Sequence, residues 1–309
     1  MFSVIFPGQG SQIVGMGKEF YDKFELVKSL FKEADETLNY SISKLILEGP
    51  KEELDLTANT QPAIFLISYS IFNVIKKEFN IDLNKAKYFA GHSLGEFSAL
   101  CCADTINFKQ TINLLNHRGK AMQEAVPKGE GGMYAVLGTD ISKINKIIND
   151  ISNELECYIA NDNSNGQVVV SGKIRSLIVF GEELKKQNIK FIQIPVSAPF
   201  HSPLMKNATE KMRKIILDTD FNDPVVSIIS NVTASPQNNS EDIRHLLIKQ
   251  IENPVRWRET INIMIKNEVT NFVEIGPGKV LSGLIKRIDR NVRLKQVNNL
   301  SDLKNILND

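Results

Sequence analysis

The chain has 309 residues, enough for one or two domains at ~100–200 residues each. Its 37 Lys and Arg against 36 Asp and Glu leave a formal net charge of +1, without the broad positive field of a nucleic-acid binder. With 42% hydrophobic and 24% charged residues it can build a large core, which excludes a mainly disordered chain.

No stretch approaches the ~20 apolar residues of a membrane span. The longest candidate, Ala63 to Ile75, is broken by Ser68, Ser70 and Asn73. Met1 to Phe6 lacks the basic flank and the length of a signal peptide, so a cytoplasmic protein is expected. Cys101, Cys102 and Cys157 make no disulfide framework and lack metal-site spacing. In a reducing compartment the Asn-x-Thr sequons at Asn207 and Asn231 carry no meaning.

Along the chain, Val4 to Phe6 reads as a short buried strand stopped by Pro7-Gly8-Gln9-Gly10. Helices are expected over Gly17 to Leu38 and Gln61 to Glu78. Ala86 to Ala90 reads as another buried strand, running into Gly91-His92-Ser93-Leu94-Gly95 and a helix from Leu94. After Gly129 to Gly132 the pattern changes. Strand Met133 to Leu137, helix Ile141 to Ile151, strands Cys157 to Ala160 and Gln167 to Ser171 around a turn at Asn161 to Gly166, helix Ile174 to Gln187 and strand Lys190 to Val196 follow. That order, β-α-β-β-α-β, is the ferredoxin-like unit. The chain then returns to a helix from Leu204, a strand Val225 to Ser230, helices around Ile243 to Gln250 and Trp257 to Lys266, and a strand Phe272 to Ile275 before Gly276-Pro277-Gly278 and a last substantial helix. Buried strands alternating with helices predict an α/β layer fold with a mostly parallel sheet, interrupted by an inserted small subdomain.

The sharpest chemical signal is Gly91-His92-Ser93-Leu94-Gly95, a G-x-S-x-G pattern between a strand and a helix, the nucleophile elbow. Its plainer reading is a tight turn with a capping serine. The strand–turn–helix setting favours a serine exposed at a helix N-terminus, where backbone N–H groups favour an anion. Such a serine needs a base. His92 lies inside the turn, and His117 and His245 fall on charged helices. His201 is flanked by Pro195, Pro199 and Pro203, which restrict its loop and suit a positioned imidazole. The reference imidazole pKa of ~6.5 then sets the expected acid limb of the rate. On the helix Phe108 to Ala125, Arg118 is the one charge in an apolar arc with Leu114, Leu115 and Met122. It is either a core arginine with an ion-pair partner or a fixed fork for a carboxylate or phosphate.

These and other motifs occur in one order: Pro7-Gly8-Gln9-Gly10-Ser11-Gln12, Thr60-Gln61-Pro62-Ala63, Gly91 to Glu96, Arg118-Gly119-Lys120, Gln123 to Pro127, Asn163-Ser164 with Gly166 to Val169, Pro199-Phe200-His201, Gln250 with Asn253-Pro254-Val255, and Glu274 to Gly278. In this order the chain resembles the malonyl-CoA:acyl carrier protein transacylases of type II fatty acid synthesis over essentially its whole length. The resemblance implies an α/β-hydrolase-like core, here 1–127 and 198–309, with a ferredoxin-like subdomain at 128–197. It implies Ser93 as the acylated nucleophile and His201 as base and later acid. It implies Gln9 and Leu94 as oxyanion-hole donors through their backbone N–H groups. Arg118 would clamp the malonyl carboxylate, and the Gln250 backbone carbonyl would orient His201. Met122 and Phe200 would shape the acyl pocket. The implied substrate is a CoA thioester, malonyl-CoA, and the implied partner a phosphopantetheinylated acyl carrier protein. No bound cofactor, no metal, no nucleic acid, no membrane and a monomer are the corresponding expectations. Lys185, Lys186, Lys190, Lys286 and Arg287 are candidates for docking an acidic carrier.

Three competing classes bracket this reading. A discrete polyketide-synthase acyltransferase would use the same chemistry. A serine hydrolase would carry an Asp or Glu between Ser and His, and no lone acid stands out between Ser93 and His201. A silent carrier-docking scaffold would have no use for Ser93, His201 and Arg118 together.

Overall fold

A computed structural model describes residues 1–151, 155–196 and 198–307. Its strands are β1 (Phe2–Phe6), β2 (Phe89–Gly91), β3 (Gly131–Leu137), β4 (Cys157–Ser164), β5 (Gln167–Lys173), β6 (Lys190–Gln193), β7 (Ile228–Ile229), β8 (Pro236–Gln237), β9 (Asn271–Ile275) and β10 (Arg293–Val297). They form two sheets. The larger has the order β10-β9-β1-β2-β7-β8 and is parallel except for β7–β8.

Period-two alternation sends successive side chains of this sheet to opposite faces. Val4 and Phe6 of β1 face the core with Phe72 and Phe89, whose rings meet edge-on 5.7 Å apart. Ile5, Ala90 and Phe272 face the other core with Trp257, Ile261 and Ile285. Both faces are covered, which is why these strands read as continuous apolar runs.

The smaller sheet is antiparallel, in the order β4-β5-β3-β6. Helices Ile141–Ile151 and Ile174–Lys186 pack Ile144, Leu177 and Phe180 onto Val136, Val168 and Val170. Met133, Val169 and Ala160 instead join the main core. The expected α/β fold with a mostly parallel sheet and a small antiparallel subdomain is what the chain forms.

Several element boundaries differ from expectation. The helix expected over 17–38 is two, Lys18–Lys23 and Glu25–Leu38, because Phe24 is extended at φ −116° and its ring packs 6.2 Å from those of Phe20 and Phe79. The next long helix, Thr57–Lys77, starts earlier than expected and runs through Pro62. The missing Pro62 N–H leaves the Ala58 carbonyl free, and the Asn116 side chain donates to it at 3.2 Å. The strand expected over 225–230 shortens to β7, since Val225 N–H bonds the Ala103 carbonyl and not a strand.

The turn expected at Asn161 to Gly166 is mostly strand. β4 runs on to Ser164 with two register shifts, because its end is pinned to the main body. Asp162 N–H bonds the Val255 carbonyl at 3.0 Å, Val255 N–H bonds the Ala160 carbonyl at 2.9 Å, and Arg258 forks onto the buried Asp162 carboxylate at 3.0 and 2.8 Å. Strand β10 and the short helices Ile42–Glu48, Lys51–Leu54 and Leu300–Leu307 were not expected; their short or polar patterns carry little periodicity.

Candidate active site

The site lies where β2 turns into the helix Leu94–Cys102. Ser93 occupies that turn at φ 53°, ψ −109°, a conformation costly for a side-chain-bearing residue. The turn needs its glycines. A Cβ on Gly91 would lie 2.0 Å from the Gly95 backbone, and one on Gly95 would lie 2.3 Å from the Phe6 carbonyl oxygen.

Ser93 Oγ is 2.8 Å from Nε2 of His201. The loop carrying His201 is held by Ser202 Oγ–H on the Pro199 carbonyl (2.6 Å) and Ser171 Oγ–H on the Phe200 carbonyl (2.5 Å). His201 itself has φ 56° and is buried. Its Nδ1 faces two backbone carbonyls, Gln250 at 2.8 Å and Asn253 at 3.2 Å. Carbonyls only accept, so the network assigns the proton to Nδ1 and leaves Nε2 to accept from the serine hydroxyl. Burial, then the Arg118 charge, push this imidazole down to about 3. This environment disfavours the charged imidazole, so the acid limb should lie below the pH 6.5 expected from the free side chain.

Arg118, on the helix Phe108–Gln123, is fully buried, and its partners are uncharged. It donates to Gln61 Oε1 at 2.7 Å, Gln250 Oε1 at 2.9 Å and Ser93 Oγ at 3.1 Å, and lies 5.4 Å over the Phe97 ring. Its Nε has no acceptor among the described residues. Burial lowers this guanidinium to about 10, so it remains a cation at neutral pH. A buried cation whose hydrogen-bond partners are all neutral is costly, the Glu96 carboxylate beyond Gln250 offsets only part of its charge, and room is left for an anion to complete the site.

Gln9, Leu94, Met122, Phe200, Arg118, Ser93 and His201 all line one cavity of about 110 Å³. Among the described residues the Gln9 and Leu94 backbone N–H groups have no protein acceptor. Gln250 is placed twice over, its backbone on His201 and its side chain on Arg118. A larger cleft of about 750 Å³ adjoins through Ile194, Val196 and Phe200. His117 and His245 are exposed, as their charged helices imply.

Sequence reasoning missed four groups. Glu96 is buried beneath the elbow, where its Oε2 accepts from Gln250 Nε2 at 2.6 Å and Asn231 N–H at 3.1 Å. Asn231 accepts the Ser93 N–H at 2.7 Å and donates to the Gly91 carbonyl at 2.7 Å. Gln61 meets Arg118, and His92 Nε2 lies 2.8 Å from Asn163 Oδ1. Gln61, Glu96 and Asn163 each fall inside a motif, which marked them without a role. Asn231 carried no signal beyond its idle sequon.

The docking candidates Lys185, Lys186, Lys190, Lys286 and Arg287 are exposed. Arg287 Nη1 donates to Gln167 Oε1 at 2.9 Å, which holds it against the β4–β5 turn.

A strained serine at a helix N-terminus, a neutral histidine behind it and a buried cation beside it define an acyl-transfer site, and the chain belongs to the acyl transferase domain family, whose model matches residues 3–301. Within that family it is similar to the malonyl CoA-acyl carrier protein transacylase of Bacillus subtilis (strain 168), 45% identical over 295 residues, 95% of this chain and 91% of that one. The Escherichia coli (strain K12) protein of the same name is 39% identical over 288 residues, 93% of this chain and 92% of its own. Among solved structures, the acyl-carrier-protein S-malonyltransferase from Bartonella henselae has a TM-score of 0.96 at 40% identity, covering 99% of this chain and 98% of its own. A chain from the structure of a type II PKS acyl-carrier protein in complex with its malonyl-transacylase matches with a TM-score of 0.95 at 39% identity, covering 99% of both chains. No helix among the described residues is long and apolar enough to cross a membrane.

Proposed function

We propose that this protein moves a malonyl group from malonyl-CoA to the phosphopantetheine thiol of an acyl carrier protein by way of an ester on Ser93. The observation that carries the reading is the single hydroxyl shared by His201 Nε2 and Arg118 Nη2 in a small cavity. The relatives' names support the substrate and the carrier.

Ser93 Oγ attacks the thioester carbonyl as its proton passes to His201 Nε2. The oxyanion forms against the Gln9 and Leu94 N–H groups, each worth ~3–4 kcal/mol by analogy with comparable donors. Collapse expels the CoA thiolate, which takes the proton from His201. The carrier thiol then gives its proton to His201, attacks the Ser93 ester, and the released Ser93 oxygen takes that proton back. A thiolate leaves easily, so a dyad with a carbonyl in place of a triad acid suffices. The step is nearly isoenergetic, because one thioester replaces another. Arg118 holds the free carboxylate of malonyl, and Met122 and Phe200 bound its methylene. The adjoining cleft is the path for the pantetheine arm.

In this reading residues 1–127 and 198–309 form the catalytic core and 128–197 a ferredoxin-like subdomain. No bound cofactor is called for, and the protein works in the cytoplasm as a monomer. Lys286 and Arg287, with Lys185, Lys186 and Lys190, meet the acidic carrier. Mixing with malonyl-CoA should add one malonyl mass to the intact protein, and holo carrier should remove it. Spontaneous loss of the label to water would make the protein a hydrolase, and no label would make it a scaffold. The polyketide-bound neighbour keeps a second carrier class in view.

A further inference from the structure

The side chains of Gln250 and Asn231 hold the backbone of the elbow, and one buried carboxylate oxygen accepts from both residues, from the Gln250 side chain and the Asn231 backbone N–H. Gln250 Nε2 donates to Glu96 Oε2 at 2.6 Å and to the Ser93 carbonyl at 3.1 Å, while its Oε1 accepts from Arg118. The Asn231 backbone N–H donates to the same Glu96 oxygen, and its side chain bonds Ser93 N–H and the Gly91 carbonyl. The Gln250 amide thus lies between an acid and a cation, its N–H toward Glu96 and its carbonyl toward Arg118. That orientation is the one in which each end meets its partner's charge.

We propose that Glu96 is a positioning residue for the reaction: through the Gln250 amide it holds the strained turn and offsets part of the Arg118 charge, so it weakens the hold on an anionic acyl group. The offset serves turnover, since a carboxylate bound too tightly by Arg118 would slow passage to the carrier. The proposal rests on Arg118 being the acyl clamp. Glu96 lies at about 7, raised by burial and lowered in part by Gln250, Asn231 and Arg118. Around it, Arg118 at about 10 stays charged, and His201 at about 3 stays neutral between pH 8 and 6. His92, the remaining titratable group at the turn, is held below its ordinary value by burial. The malonyl carboxylate stays ionised across that range.

The test is acylation in competition between malonyl-CoA and acetyl-CoA, read by intact mass, in the parent and in Glu96→Gln. The glutamine oxygen can still accept from Gln250 and Asn231, so those two hydrogen bonds are kept while the charge is lost. At pH 8, where Glu96 is mostly ionised, the malonyl-to-acetyl ratio should rise about tenfold in Glu96→Gln, the order for one charge ~10 Å away at an effective dielectric of ~20. In the parent the same ratio should rise as pH falls from 8 to 6, and in Glu96→Gln it should stay flat. The parent profile decides alone if the variant does not fold. A ratio flat with pH in the parent, or unchanged by Glu96→Gln, overturns the proposal. Arg118→Ala run alongside separates the two readings: if it leaves the parent preference intact, the clamp is what fails.

Discussion

Arg118→Ala is expected to change which acyl group is accepted more than it changes the chemistry. The guanidinium has no carboxylate among its hydrogen-bond partners, so an incoming carboxylate supplies the missing anion. Losing it removes a charge-assisted, dry contact, and malonyl kcat/KM should fall by ~2–4 kcal/mol. At 1.36 kcal/mol per factor of ten this is about 30- to 900-fold. Acetyl transfer should rise relative to malonyl, because a neutral methyl no longer leaves a buried cation unsatisfied. Phe200 lines the same cavity, so branched acyl groups should stay disfavoured in parent and variant alike. The truncation also orphans the buried acceptors Gln61 Oε1 and Gln250 Oε1, at ~1–3 kcal/mol of stability each. Arg118→Met keeps most of the volume, so it separates charge from cavity. The assay is competition between malonyl-CoA and acetyl-CoA for the parent and both variants, with thermal melts in parallel. If both acyl rates fall equally and the ratio holds, Arg118 is a structural core residue and the clamp is refuted.

Ser93→Ala should take up no malonyl mass, and a stable label on it would remove the nucleophile assignment. Ser93→Gly should be equally inactive yet more stable than Ser93→Ala by about 1 kcal/mol in denaturant unfolding, because glycine accepts φ 53° without strain; equal stability would deny that the elbow is strained. His201→Ala should slow acylation ~10²–10⁴-fold, and unchanged rates would move the base elsewhere. In the parent, acylation by acetyl-CoA, which has no carboxylate for Arg118 to hold, should stay level from pH 8 to 5, because the base form persists down to about 3. The same depression gives stability its sign. Unfolded His201 binds a proton near pH 6.5 that the folded chain refuses, so stability drops as pH falls from 6.5 toward 3, and a melt series shows whether His201→Ala blunts that slope. Lys286→Glu with Arg287→Glu should raise KM for the carrier more than for malonyl-CoA, with the gap closing at high salt; equal changes for both would exclude this helix from docking.

Local pattern alone determined much of this protein. Period-two and continuous apolar runs located the buried strands, and helices Ile141–Ile151 and Trp257–Lys266 fall where their spacing placed them. The elbow was legible because its two glycines answer backbone clashes within five residues. His201 stood out through its prolines, and Arg118 through one charge in an apolar arc. Where distant chain segments meet, local pattern has no access. Phe24 breaks a helix because Phe79 is there to receive its ring. β4 overruns its expected turn because Val255 and Arg258 bind it from roughly a hundred residues away. Glu96 closed a motif without showing a role, and Asn231 looked like an idle sequon. Only the fold brings Gln250 and Asn231 onto one Glu96 oxygen beneath Ser93. The imidazole's fall from the ordinary value to about 3 was equally out of reach, since its main cause is burial and burial belongs to the whole molecule.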